Sequence, residues 1–189
     1  MEMSVNALSL SHRFIAEHVH EGDLCIDATA GRGGDTAFLC GLVGDTGKVI
    51  AFDIQQEAVD STRTLLESKG FSDRAEVHLD SHSNMDAYAQ PGTVSCITYN
   101  FGWLPGGSHD IFTRAETSIA AIEKGLALLE PLGVMSLCIY YGRENGFSER
   151  DALLEYLSGL DSKVCSVLVG SFVNRPSCPP ITAFIMKGR

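Results

Sequence analysis

Asp27, Asp35 and Asp53, with glycines between the first two, define the chemistry open to this chain. The stretch Asp27-Ala-Thr-Ala-Gly31-Arg-Gly33-Gly34-Asp35-Thr36 follows the apolar run Leu24-Cys25-Ile26, and a helical pattern from Thr36 to Leu42 leaves it. The order is strand, tight glycine turn, helix. Glycine lacks a Cβ and tolerates positive φ, so a ligand can approach bare backbone there. The unpaired N–H groups of the helix N-terminus point at the same place. A second strand-like run, Lys48-Val-Ile-Ala-Phe-Asp53, also ends in an acid. An acid about 20 residues beyond such a turn is placed to accept hydrogen bonds from ribose hydroxyls. These features together predict a nucleoside pocket.

The type of nucleoside follows from charge. A dinucleotide fingerprint wants a third small residue where this chain has Thr36, and it has no use for an acid at Asp27. Three carboxylates around one turn repel a pyrophosphate and attract a cation. S-adenosylmethionine (SAM) has ribose hydroxyls, an ammonium and a sulfonium, and no phosphate. SAM is therefore the expected cofactor, with Asp27, Gly31, Gly33, Asp35, Thr36 and Asp53 around it. Asp27 and Asp35 also have a plain structural reading, as a turn residue and a helix N-terminal acid.

Further polar groups end other strand-like runs. The third run ends at Asp80-Ser81-His82, the fourth at Asn100 and the fifth at Tyr140-Tyr141. Beyond the fourth lies Tyr99-Asn-Phe-Gly-Trp-Leu-Pro-Gly-Gly-Ser-His109, which contains the single Trp of the chain. In this loop Asn100 is read as an acceptor for a substrate amine, with Phe101 or Trp103 stacking on a base; such stacking is worth about 1–3 kcal/mol. The alternative is a stiff loop whose aromatics fold inward. His82 is expected either to contact adenine or to act as a base. Arg114, Arg143 and Arg175 are the cations near this edge that could meet phosphates, although each could equally be a solvated charge.

These residues require elements that bring them to one edge. Apolar spacing predicts a helix over 4–20 broken near Ser9–Ser11, strands at 23–28, 48–53, 75–79, 94–99, 134–140, 163–169 and 181–186, and helices at 34–43, 55–69, 83–89, 113–129 and 148–158. Strands alternating with helices imply right-handed crossovers and a parallel sheet. The 11 residues between the last two strands show no helical pattern and permit a hairpin. The expected fold is therefore α/β: a Rossmann-like doubly wound sheet of seven strands, mostly parallel, with an antiparallel C-terminal strand. Ligands bind beyond the strand C-termini of such sheets. At 189 residues the chain is long enough for one domain, taken as 1–189.

Composition narrows the partners. Hydrophobic residues make up 44% and charged ones 20%, ordinary for a globular chain. No run is long enough to span a membrane and no signal peptide is visible. The six cysteines contain no C-x-x-C pair and read as reduced core thiols of a cytoplasmic protein, not as a metal site or disulfides. A net charge of −10 argues against a broad basic face for nucleic acid while leaving room for a local one.

With these motifs in view the chain resembles the YtqB/MnmM-type family of small class I SAM-dependent methyltransferases, long labelled rRNA methylases. The resemblance covers Ser11-His12, the glycine turn, Asp53-Ile-Gln55, Ser81-His82, the Asn100-Phe-Gly-Trp-Leu-Pro-Gly-Gly loop and Asn174-Arg-Pro-x-x-Pro-Pro. It implies methylation of the aminomethyl group of 5-aminomethyl-2-thiouridine at the tRNA wobble position. Asn100 and Trp103 would then serve catalysis, Gln55, Ser81 and His82 would join the cofactor site, and Phe101, His109, Arg114, Arg143 and Arg175 would face the anticodon region of a tRNA. A homodimer is compatible with the family, and no metal is required. Arg32 stands where the family usually has Asn, and Arg143 where it usually has His. Competing readings are methylation of rRNA or another amine, a non-catalytic SAM-binding module, and an NAD-dependent oxidoreductase, which the missing third glycine and absent substrate domain oppose.

Overall fold

The computed structural model describes residues 5–102, 113–142 and 144–189. Helix α1 (Ala7–Ala16) opens on a reciprocal cap: Ser9 N donates to Asn6 Oδ1 at 2.8 Å, and Asn6 N donates to Ser9 Oγ at 2.9 Å. The break expected at Ser9–Ser11 is absent. Ser9 belongs to the cap, and Ser11 is buried with its Oγ 3.2 Å from Cys138 Sγ. The chain then runs β1 (Leu24–Asp27), α2 (Gly34–Val43), β2 (Lys48–Asp53), α3 (Gln56–Lys69), β3 (Ala75–Leu79), a 3-10 turn (His82–Ala87) and β4 (Val94–Phe101). It continues through α4 (Ala115–Leu128), β5 (Leu129–Ile139), α5 (Glu144–Ser158), β6 (Cys165–Gly170) and β7 (Ile181–Lys187). Among the described residues no helix is long and apolar enough to cross a membrane.

Seven strands form one sheet in the order β3-β2-β1-β4-β5-β7-β6. Strands β1 to β5 pair in parallel, and β7 lies antiparallel between β5 and β6. The expected fold class is thus observed, including the C-terminal hairpin. Strand β1 pairs with β2 on one side and β4 on the other. The direction of winding reverses between β1 and β4, which opens a crevice beyond their C-termini.

Strand alternation assigns the two faces. Cys25, Val49, Ala51 and Cys96 turn to the face covered by α1, α2 and α3, where Ile15, Leu39, Val43 and Leu66 meet them. Ile26, Phe52, Ile97, Tyr99 and Phe101 turn to the other face, against Ala121, Ile122, Leu153 and Leu157 of α4 and α5. All six cysteines are free thiols, five of them buried.

Several boundaries differ from the sequence expectation, among them the start of α5, at Glu144 and not 148, and the ends of two central strands. Strand β5 begins at Leu129, directly after α4, and absorbs the Pro131-Leu-Gly133 break as an irregularity in which Leu132 takes φ 68°. Strand β4 runs on to Phe101, so Asn100 is a strand residue paired with Cys138 and does not leave the sheet.

Gly33 begins α2 with φ 82°, and a Cβ built there would come 2.9 Å from Thr62 Cα. Helix α3 crosses the turn too closely for any side chain. Gly33→Ala is expected to lose about 1–3 kcal/mol of unfolding free energy in a denaturant titration, through combined backbone strain and overpacking. Thr62→Ala in the same chain should not restore it, because the close contact is with Thr62 Cα.

Candidate active site

A cavity of about 790 Å³ lies beyond the C-terminal ends of β1, β2 and β4. Of the expected cofactor residues, Gly31, Asp35, Asp53, Gln55, Ser81 and His82 line it. The Asp53 carboxylate accepts from Gly31 N and Gln55 N, each at 2.9 Å. Each carboxylate oxygen can accept a second hydrogen bond, so the group remains available to a pair of ribose hydroxyls. Burial raises the Asp53 pKa, and the two backbone N–H donors oppose that shift. Ile54, 56% exposed, offers an apolar surface directly beside it.

His82 closes the cavity from the 3-10 turn, which Ser81 caps by accepting from Ser83 N at 3.2 Å. Burial pushes the His82 pKa down to about 4, and its ring hydrogen-bonds the Ala28 carbonyl. The other nitrogen, Nε2, is buried without a partner. A neutral ring that donates to a carbonyl leaves Nε2 as an acceptor. His82 is therefore suited to an exocyclic amine of a base and is too weak a base to take a proton near neutrality. This corrects the second role expected for it.

Asp27, Gly33 and Thr36 do not line the cavity. Asp27 and Thr36 are fully buried beneath the turn. Thr36 Oγ1 donates to Asp27 Oδ2 at 2.6 Å, Thr29 N donates to Oδ1 at 3.2 Å, and Thr98 Oγ1 lies 3.5 Å from Oδ1. Burial, reinforced by Asp35, pushes the Asp27 pKa up to about 7. The expectation that Asp27 draws in a cation beside Asp35 and Asp53 is corrected: it staples β1 to α2 and β4. Gly33 serves the contact with α3.

Asn100 lines the cavity from the end of β4. Its N donates to Thr29 Oγ1 at 2.7 Å, and its Nδ2 donates to Asp35 Oδ2 at 2.7 Å. The other Asp35 oxygen lies 2.7 Å from His12 Nε2. A carboxylate only accepts, so Asn100 must turn its NH₂ toward Asp35, and its carbonyl is left as the acceptor.

Phe101 is fully buried against Tyr99, with its ring edge to His82. It cannot stack on a substrate base, and that expectation is corrected. Strand alternation, extended two residues further, would have shown it, because 97, 99 and 101 share the core face. Tyr140 is the aromatic at this end of the cavity, seated so close that a Cβ on Gly102 would touch its Cβ at 3.0 Å. Arg114 lines the cavity and is exposed. Arg175 lies elsewhere, its guanidinium 3.9 Å from the Phe172 ring centroid. Arg32 lines the cavity and pairs with Glu57 at 3.0 Å. Trp103, His109 and Arg143 lie outside the described residues.

Several residues at the site were given no role by the sequence. Thr29, inside the glycine turn, anchors the Asn100 backbone; Thr117 lines the cavity, as does Asp80, which the sequence marked only as the end of a strand-like run. Gly102 N donates to Thr113 Oγ1 at 2.8 Å, and Gly102 O accepts from Thr113 N at 2.9 Å, which closes the base of the 103–112 segment. Buried Glu149 of α5 holds this closure, accepting from Thr113 Oγ1 at 2.9 Å and Ser118 Oγ at 2.8 Å. Burial raises its pKa against those two hydrogen bonds.

Residues 49–186 match a family described as "Putative rRNA methylase". The chain is 32% identical over 190 residues to the tRNA (mnm5s2U34)-methyltransferase, chloroplastic, of Arabidopsis thaliana, covering 96% of this chain and 69% of that protein. It superposes on the crystal structure of a "putative rRNA-methylase" from Clostridium thermocellum with a TM-score of 0.95 and 43% identity, over 97% of this chain and 98% of that one. A "putative methyltransferase" from Streptococcus mutans, solved in complex with SAH, gives a TM-score of 0.89 and 33% identity over 98% and 99% of the two chains.

The Asp27 pKa has a measurable consequence. With a folded value near 7 and an ordinary value of 3.8, the folded state holds this proton to higher pH than the unfolded chain does. The group contributes stability that is complete below the unfolded value and lost as pH rises through the folded one. Asp27→Asn removes this titration. The variant is expected to gain on the wild type by up to about 1.4 kcal/mol per pH unit between pH 4 and 7, with no further gain above, in paired denaturant titrations.

Proposed function

The chain belongs to this rRNA methylase family and is a SAM-dependent methyltransferase, and we propose that it N-methylates the aminomethyl group of 5-aminomethyl-2-thiouridine at the wobble position of tRNA. Residues 1–189 act as one methyltransferase domain, and the cytoplasm, where its six free thiols stay reduced, is where we place it. The observation that carries the substrate reading is the polarity of Asn100. With Nδ2 held by Asp35, the amide offers a carbonyl at the cavity, and a carbonyl selects an N–H donor. The wobble uridine named for the Arabidopsis relative presents such a donor once it carries an aminomethyl group.

The residues of the cavity fit the methyl donor. Asp53 would accept from the ribose hydroxyls, Ile54 would cover one face of the base, and the orphaned His82 Nε2 would accept from its exocyclic amine. When bound, SAM supplies a methyl group made electrophilic by the adjoining sulfonium. The neutral acceptor amine would be held by Asn100 Oδ1 with its lone pair turned to that methyl group. Fixing this orientation before reaction removes the entropy of alignment from the reacting step.

RNA must be met by few charges on a chain of net charge −10. Among the described residues, exposed Arg114 at the cavity rim is placed to meet a phosphate of the anticodon region. Tyr140 would supply a flat surface for the target base or its neighbour, the role the sequence assigned to Trp103, which lies outside the described residues.

The test is nucleoside mass spectrometry of tRNA bearing 5-aminomethyl-2-thiouridine after incubation with SAM. Loss of that nucleoside to its N-methyl product supports the reading; methyl incorporated only into rRNA overturns it. Asn100→Ala should lower turnover by about a hundredfold with SAM affinity nearly unchanged, the usual scale for removing a preorganised polar contact. Arg114→Ala should raise the tRNA KM and reduce the slope of log affinity against log salt by about 1, with SAM affinity again unchanged.

A further inference from the structure

Helix α1 contributes more to the site than its place at the start of the chain suggests. Leu8, Ser11, His12 and Ile15 share one face of it, since residues three and four apart stack along a helix. Leu8 lines the cavity, Ser11 touches Cys138, and Ile15 is buried in the core. Cys138 is the residue opposite Asn100 in the β4–β5 register. His12 stands between these contacts. Its ring stacks on Phe38 of α2, with centroids 3.9 Å apart and planes within 9°, and its Nε2 lies 2.7 Å from Asp35 Oδ1. The result is an unbroken chain of contacts from α1 through α2 to β4: His12 to Asp35, Asp35 to Asn100.

We propose that His12 is a positioning residue for methyl transfer, acting through Asp35 to hold the Asn100 amide with its carbonyl toward the acceptor amine. This rests on the reading of Asn100 as the amine acceptor. Asp35 has two oxygens facing two donors, and because a carboxylate cannot donate, both His12 Nε2 and the Asn100 amide must present N–H to it. That requirement fixes the tautomer of His12 and the flip of Asn100 together. The stacking on Phe38 fixes the plane of the His12 ring, and hence the direction from which Oδ1 is held. Without the His12 donor, Oδ1 of a carboxylate that is only 11% exposed loses a partner. Asp35 is then held by the Asn100 contact alone, and once it swings off that amide it no longer sets which end of Asn100 faces the cavity. In the flipped state its NH₂ would face the N–H of the acceptor, donor against donor. Asp35 also lines the cavity, so a loosened carboxylate could pair with the protonated amine and hold it in the unreactive form.

The experiment compares His12→Phe, His12→Gln and Asp35→Asn with wild type, measuring kcat and KM on tRNA bearing 5-aminomethyl-2-thiouridine and Kd for SAM by calorimetry. His12→Phe keeps the stacking and removes the donor. It is expected to lower kcat about 10- to 100-fold, the range for partners one layer behind a reacting group, with SAM Kd within about twofold. His12→Gln returns an N–H and should recover most of the loss. Should His12→Phe fail to fold, Asp35→Asn carries the test: the two donors sit on different oxygens of Asp35, and the amide puts an NH₂ in place of one of them, so kcat should fall, and adding His12→Gln should cost less than it does in the wild type. An active wild type with His12→Phe at full kcat overturns the proposal, as does equal loss in His12→Phe and His12→Gln. Loss confined to SAM Kd also overturns it, because His12 would then serve the cofactor side. A wild type that leaves this tRNA unmodified contradicts the substrate reading, and kcat is then not the quantity that fails.

Discussion

The Asn100 edge of the cavity depends on one property of one group: the Asp35 carboxylate accepts hydrogen bonds and cannot give them. It sits in the first turn of α2, where negative charge suits the helix N-terminus. From there it meets a strand residue on one side and a residue of α1 on the other. Because it is nearly enclosed, both contacts are strong and neither can be exchanged freely for water. The chemical identity of Asn100 at the cavity, carbonyl or amino, is decided at Asp35.

The three acids near the glycine turn divide their work by depth. Asp27 lies lowest, fully buried, and is spent on tying β1 to α2 and β4. Asp53, at the end of β2, binds two backbone N–H groups yet keeps lone pairs for a ligand. Asp35 lines the cavity between His12 and Asn100. A similar economy governs the segment beyond β4. Its two ends are clasped at Gly102 and Thr113, and buried Glu149 joins that clasp to α5. Gly102, Thr113 and α5 therefore share one anchor and are placed relative to the cavity by the same carboxylate.

Much of this was legible in the sequence because its signals are local. The glycine turn, the acids that end β1 and β2, and the alternation of strand and helix each declare themselves within about 20 residues, and they led to the correct sheet, including the antiparallel β7. What failed was depth. Asp27 and Asp53 look alike as strand-terminal acids, yet one is buried under the turn and the other lines the cavity. Phe101 looked like an exposed loop aromatic, although the period of β4 placed it with Ile97 and Tyr99 in the core and placed Asn100 with Cys96 and Thr98 on the α2 side. The pairings of Asn100 with Thr29, of Asp35 with His12 and of Thr113 with Glu149 join residues separated by 71, 23 and 36 positions, and no local pattern announces them.

The most direct test of the account is a crystal structure of the protein with S-adenosylhomocysteine and an anticodon stem-loop bearing 5-aminomethyl-2-thiouridine. The account predicts the aminomethyl nitrogen about 3 Å from Asn100 Oδ1, with Asn100 Nδ2 still on Asp35 and the ribose hydroxyls on Asp53. An aminomethyl group bound directly by Asp35, with the Asn100 amide turned away, would contradict it.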